Sequence, residues 1–137
     1  LTARLAELHN VSPSYLAKQL QALTRAGLVQ SVQGKAGGYI LTRPPALITV
    51  LDVVEAVDGP GPAFVCTEIR QRGPMATPPE ACAVPCAIRR AMGRAETAWW
   101  ETLRSITVAD LAADVTSDSG PGALGRISIT WLNTASA

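Results

Sequence analysis

The chain is poor in the features that would place it quickly. It has one histidine, three cysteines, a net charge of only +1 and no long apolar run, although 47% of its 137 residues are apolar. Each scarcity removes a class. No run approaches the roughly 18 apolar residues of a membrane span, and no charged-then-apolar leader opens the sequence, so a cytoplasmic protein with no membrane partner is expected. Three cysteines cannot all pair within one chain, which removes a secreted disulfide scaffold and leaves thiolate chemistry or plain burial. A Cys–His nucleophile would have to combine Cys82 or Cys86 with His9, and nothing near His9 orients it. Cys82 and Cys86 are also separated by three residues, not by the two of dithiol oxidoreductases. No enzyme is expected.

The near-neutral balance hides an asymmetry. Residues 1–43 carry +4, from Arg4, Lys18, Arg25, Lys35 and Arg43 against Glu7, and the remainder carries −3. A basic segment that focuses positive potential on one face suits a nucleic-acid binder; a fluctuation over a short window is the alternative. The length suits one domain with one modest core. No internal repeat is expected.

Patterning gives the elements in order. Residues 2–10 place Leu5 and Leu8 on one side and Arg4 and Glu7 toward water, a short helix that Asn10 can stop in the left-handed conformation. Ser12 followed by Pro13 supplies an N-cap and a first-turn proline. Leu16, Leu20 and Leu23 then form the buried stripe of a second helix that runs to about Ala26 and closes at Gly27. Residues 28–32 and 39–42 flank a glycine-rich tip as a hairpin, which Pro44 and Pro45 end. Thr49 caps a third helix over residues 50–57 with Leu51, Val54 and Val57 inward, and the Gly-Pro run at 59–62 breaks it. The expected fold class is mostly α with a small β-hairpin wing: a winged helix-turn-helix domain over residues 1–62.

In a helix-turn-helix the start of the second helix enters the major groove. Ser12, Ser14, Tyr15, Lys18 and Gln19 occupy that start, and the face opposite the leucines continues through Gln21 to Arg25. Hydroxyl, amide and cationic groups suit base edges and phosphates. The wing tip offers Gln33, Gly34, Lys35, Gly37 and Gly38, where the glycines allow close backbone approach and Lys35 a phosphate or minor-groove contact. A solvated helix face and a flexible turn are the bland readings of each residue alone; a cap, a turn and a hairpin in this order favour double-stranded DNA for the set.

Residues 63–86 are irregular, punctuated by Pro74, Pro78, Pro79 and Pro85, and hold Cys66, Cys82 and Cys86. From Ala87 onward Ile88, Met92, Ala95, Trp99, Leu103 and Ile106 recur at helical spacing, a stripe for a partner helix. About 20 residues, or ~30 Å, exceeds what the small winged domain covers, so a homodimer through this helix is expected, with packing back on its own domain as the alternative. Trp99 and Trp100 are adjacent and cannot share a face. Thr107 caps a short helix ending near Val115 with Leu111 inward. Residues 116–137 are expected to be a tail, including a strand-like stretch at 126–132 that has no partner.

The run over residues 11–59, with SPSYL opening the second helix, AGLV leading into the wing, GGY at the wing and ITVLDVVEAVDG after it, resembles the Rrf-type (IscR/NsrR-like) family of winged helix-turn-helix transcriptional regulators. The likeness continues through Phe64, Cys66 and the cysteine pair to about residue 115. It implies a homodimeric regulator, a repressor, that binds a palindromic operator and senses iron–sulfur, nitric oxide or redox status. It implies an iron–sulfur cluster with Cys66, Cys82 and Cys86 as ligands, 2Fe-2S preferred and 4Fe-4S behind it. It also implies a further helix upstream of Leu1 that can add a non-cysteine ligand. The chain departs from the pattern of cysteines five residues apart: 15 residues separate Cys66 from Cys82 and three separate Cys82 from Cys86. That departure leaves open the cluster type, and leaves a thiol switch, zinc, or a protein-binding winged module as alternatives.

Overall fold

Helices α1 (Thr2–Leu8) and α2 (Pro13–Arg25) pack together over Ala6, which is fully buried. The computed structural model describes residues 2–34, 38–120 and 122. α1 ends two residues earlier than its pattern suggests, because the chain tightens: the Asn10 amide bonds the Glu7 carbonyl at 3.0 Å and Asn10 takes a left-handed φ of 52°. Arg4, expected toward water, is half-buried. Ser12 caps α2, its hydroxyl accepting from the Tyr15 amide at 3.2 Å, and Pro13 occupies the first turn, where its missing N–H costs nothing. Leu20 and Ala22 are buried, while Leu16 and Leu23 are half-buried. Gly27, at φ +70°, turns the chain so that the Leu28 amide reaches the Leu23 carbonyl at 3.0 Å.

Strands β1 (Val29–Val32) and β2 (Gly38–Leu41) form an antiparallel hairpin in the register Val29 to Leu41 and Ser31 to Tyr39. Lys35 and Gly37 of the expected wing tip lie outside the described residues, as does the strand-like stretch at 126–132. The Thr42 hydroxyl donates to the Gly27 carbonyl and ties the hairpin base to the end of α2. Helix α3 (Val50–Asp58) then begins with a full capping box: Thr49 Oγ1 accepts from the Asp52 amide at 3.1 Å, and Asp52 accepts from the Thr49 amide at 2.8 Å. Ile48 and Leu51 are buried, whereas Val57 is exposed.

Helix α4 (Ala87–Ser105) returns the chain to that cap. The Val50 amide donates to Ile106 and the Val108 amide donates to Ile48, both at 2.9 Å, an antiparallel bridge of Thr49 with Thr107. Thr107 caps α5 (Val108–Ser119) through the same box, with Asp110 as its acid. The bridge therefore joins two copies of one motif, Ile-Thr-Val-X-Asp, at residues 48–52 and 106–110. This short repeat corrects the expectation of none; at five residues it falls far below the period of repeat architectures. Two further expectations change. α5 runs to Ser119, past the expected end at Val115, with the Thr116 hydroxyl bonded to the Ala112 carbonyl at 2.8 Å. Leu111 is exposed, while α5 packs against the turn Pro45–Leu47.

The α4 stripe divides. Leu103 is buried and Ile106 half-buried against the winged domain, whereas Ile88, Met92, Ala95 and Trp99 remain exposed, Trp99 at 56%. Trp100 is half-buried and lines a cavity with Leu51 and Val54 of α3. Among the described residues no helix is long and apolar enough to cross a membrane.

Candidate functional site

Two regions carry the polar chemistry. The first is the outer face of α2. Ser12, Ser14, Tyr15, Lys18 and Arg25 are exposed, and Gln19 is half-buried at the edge of that face. Ser12 and Ser14 hydroxyls lie 3.3 Å apart, so Ser12 serves both as cap and as neighbour to the first outward side chain. Gln33 is exposed at the end of β1. Of the basic residues counted in the sequence, Arg43 is engaged with Asp52 at 3.3 Å. Asp52 is held below the ordinary carboxylate range, first by the Thr49 amide bond and further by Arg43. Lys18 and Arg25 are therefore the cations that α2 presents outward. The hairpin stands beside the C-terminal end of this row, with Ser31 and Tyr39 bordering the same cleft as Gln21 and Arg25. Sequence reasoning missed Ser31 and Tyr39, for which cross-strand pairing was the available signal.

The second region is the loop from Ala63 to Cys86. No residue in it is buried, so polar ties hold it. Arg70 is the central one: its guanidinium grips Glu68 through two bonds of 2.6 and 2.8 Å and reaches the carbonyls of Val84 at 3.1 Å and Cys82 at 3.5 Å. Glu68 itself sits at a left-handed φ of 49°. The pairing depresses the Glu68 carboxyl, and the same hydrogen bonds from Arg70 to Glu68 hold the Arg70 guanidinium charged, above its ordinary range. Arg70 thus clasps the arm that follows Cys66 to the arm that carries Cys82. Cys82 closes the turn Pro79–Cys82, and Cys86 caps α4 with its sulfur, 3.4 Å from the Arg89 amide. Cys66 lines a cleft of about 390 Å³ against α4, with Arg89 and Glu96 on the opposite wall.

All three thiols are free and half-buried. Thiolates are the donors that iron–sulfur clusters take, so the donor chemistry agrees with that group. The arrangement does not: among the described residues no three Cys, His, Asp or Glu side chains are gathered where they could hold a metal ion.

A family model described as iron-dependent transcriptional regulator, Rrf2, matches residues 2–114. The chain belongs to the Rrf2 family. Protein aau3 of Rhizobium meliloti is 37% identical to this Rrf2 chain over 108 residues, which are 78% of this chain and 66% of that protein. The chain thus spans just under two thirds of that relative's length. Among solved structures, T. potens IscR aligns at 28% identity with a TM-score of 0.60, over 83% of this chain and 69% of that one. The global cysteine regulator CymR of B. subtilis aligns at 30% identity with a TM-score of 0.53, over 82% and 76%. The mostly helical fold with a two-stranded wing is that of IscR and CymR, and the family model describes transcriptional regulators.

Proposed function

We propose that this chain acts in the cytoplasm as a homodimeric transcriptional repressor that binds a palindromic operator and releases or grips it according to the state of its cysteine loop. The observation that carries the DNA-binding part is α2, capped by Ser12, anchored by Leu20 and Ala22, and presenting Ser14, Tyr15 and Lys18 outward. Rigid seating matters here, because base contacts discriminate only when donors and acceptors are held in register. Gln19, Arg25, Gln33, Lys35 and Gly37 complete the proposed interface.

The exposed face of α4 supports dimerisation. Met92, Ala95 and Trp99 line an apolar groove of about 340 Å³ with Phe64, next to the loop that holds the cysteines. A change in that loop shifts α4 at its Cys86 cap, and the bridge between Thr49 and Thr107 passes the shift to the winged domain. In a dimer two recognition helices must meet half-sites about 34 Å apart, so a small rotation is enough to change affinity by a coupling of about 5- to 150-fold.

Two readings of the signal stand. The family's iron dependence supports an iron–sulfur cluster on Cys66, Cys82 and Cys86, with 2Fe-2S preferred over 4Fe-4S. The separation of the three thiols, with no gathered ligand set among the described residues, supports a cluster-free thiol switch. Anaerobic purification followed by iron, zinc and sulfide analysis separates them, and zinc without sulfide would point to a structural metal. Selection of genomic fragments by the purified chain, with light scattering of the complex, tests the rest. A monomer that retains no duplex overturns the proposal and favours a protein-binding module.

A further inference from the structure

Between α2 and the hairpin lies a cleft of about 400 Å³ bordered by Gln21, Thr24, Arg25, Ser31 and Tyr39. Two simple geometries assemble it. Gln21 and Arg25 are four residues apart on α2 and so share a face. Ser31 and Tyr39 are directly opposed across the hairpin and so project from one side of it. The Thr24 hydroxyl is already committed to the Leu20 carbonyl at 2.8 Å. The side chains of the other four make no hydrogen bond or ion pair among the described residues. Among the described residues no carboxylate borders the cleft, so one fixed positive charge and three neutral donors line it without an internal partner.

Such a set suits an anion, and its place in the fold says which one. The cleft lies where the row Ser14, Lys18, Gln21 and Arg25 ends, between a helix suited to the major groove and a hairpin suited to the neighbouring minor groove. What separates those two grooves in a duplex is a sugar-phosphate strand. The geometry points to this cleft as the seat of one backbone phosphodiester, with Arg25 supplying the charge and Gln21, Ser31 and Tyr39 supplying neutral donors. The inference rests on the DNA-binding reading and adds a division of labour to it. A phosphate contact fixes position and carries no sequence information, so Arg25 sets the docking of α2 while the start of the helix reads bases.

The test is a set of binding isotherms for the full chain over a range of salt, on a selected operator duplex and on an unrelated duplex of equal length. Arg25→Ala is expected to weaken both duplexes by the same factor, roughly tenfold, and to lower the salt slope by about 1 per subunit. Arg25→Lys keeps the slope. Tyr39→Phe retains the ring, and with it the hairpin, and is expected to weaken both duplexes about threefold at unchanged slope. Thermal melting of each variant should match the parent chain. If Arg25→Ala weakens the operator alone, Arg25 reads a base and the seat is wrong. If Arg25→Ala and Tyr39→Phe both bind as the parent does, with the parent's slope, no phosphate sits there. A parent chain that binds neither duplex overturns the DNA-binding reading and the seat with it, whereas binding by the parent and unaltered variants overturns the seat alone.

Discussion

The winged half and the cysteine loop are held together by different physics. Among the described residues, Ala6, Leu20, Ala22, Leu28, Ile48 and Leu51 are the buried apolar residues of the first 58, and beyond them only Leu103 joins that class. The loop over residues 63–86 buries none, and its order depends on Arg70, on the Cys86 cap and on the bond from the Ala63 amide to Glu96. Apolar burial is indifferent to oxidants, to metals and, near neutrality, to pH. Ties through guanidinium, carbonyl and thiol groups are not. The proposed reading head thus rests on burial and the proposed sensor on polar ties, and the Thr49–Thr107 bridge joins the winged half to the far end of α4, the helix that the loop leads into.

The contrast can be broken by experiment, and the largest effect belongs to the core. Ile48→Ala removes a side chain that is 1% exposed at the bridge itself, and it should cost about 2–5 kcal/mol in urea unfolding and abolish DNA binding; a loss below about 1 kcal/mol would mean that the winged half is not core-held. Next comes the simultaneous change of Cys66, Cys82 and Cys86 to serine. It should leave unfolding within about 0.5 kcal/mol of the parent, because serine also caps helices, yet erase the proposed response of operator affinity to iron or oxidant. A variant that still responds would move the sensor elsewhere. Thr49→Ala opens the first capping box and should cost about 1 kcal/mol.

Acid sharpens the same point at smaller amplitude. Asp52 and Asp110 are held below the ordinary carboxylate range by their Thr49 and Thr107 hydrogen bonds. Their stabilisation is therefore complete above about pH 4, the unfolded value, and fades as pH falls through their depressed values. Melting temperature against pH should fall less steeply at the acid end in the double Asp52→Asn, Asp110→Asn variant. The smallest global effect is expected for Arg70→Gln: unchanged melting, but faster limited proteolysis between residues 68 and 84, since only local opening is affected. Equal cleavage rates would show that the clasp does not order the loop.

Much of the winged half was legible in the chain because its signals are local. Ser12-Pro13, Gly27 and Thr49 act over a few residues each and appear where their chemistry required, while of the leucine stripe Leu20 is buried and Leu16 and Leu23 are half-buried. Legibility fell where a side chain's role depended on a distant segment. Val57 and Leu111 satisfy helical periodicity yet remain partly open to solvent among the described residues. Leu103 and Ile106 belong to the same stripe as Met92 and Trp99 but are used within the chain, a division that periodicity cannot express. The Rrf2 resemblance located the cysteines without showing whether they converge.

What the sequence by itself determined is the order of helices and hairpin, their caps, and the polar face of α2, since these follow from spacing along a single backbone. What only the tertiary structure decided is the pairing of the two Ile-Thr-Val-X-Asp motifs, the Arg70 clasp across the cysteine loop, and the cleft that Gln21 and Arg25 share with Ser31 and Tyr39. Each of these joins groups from separate segments of the chain, and the distance between such groups is set by how the segments pack, a quantity that no local pattern encodes.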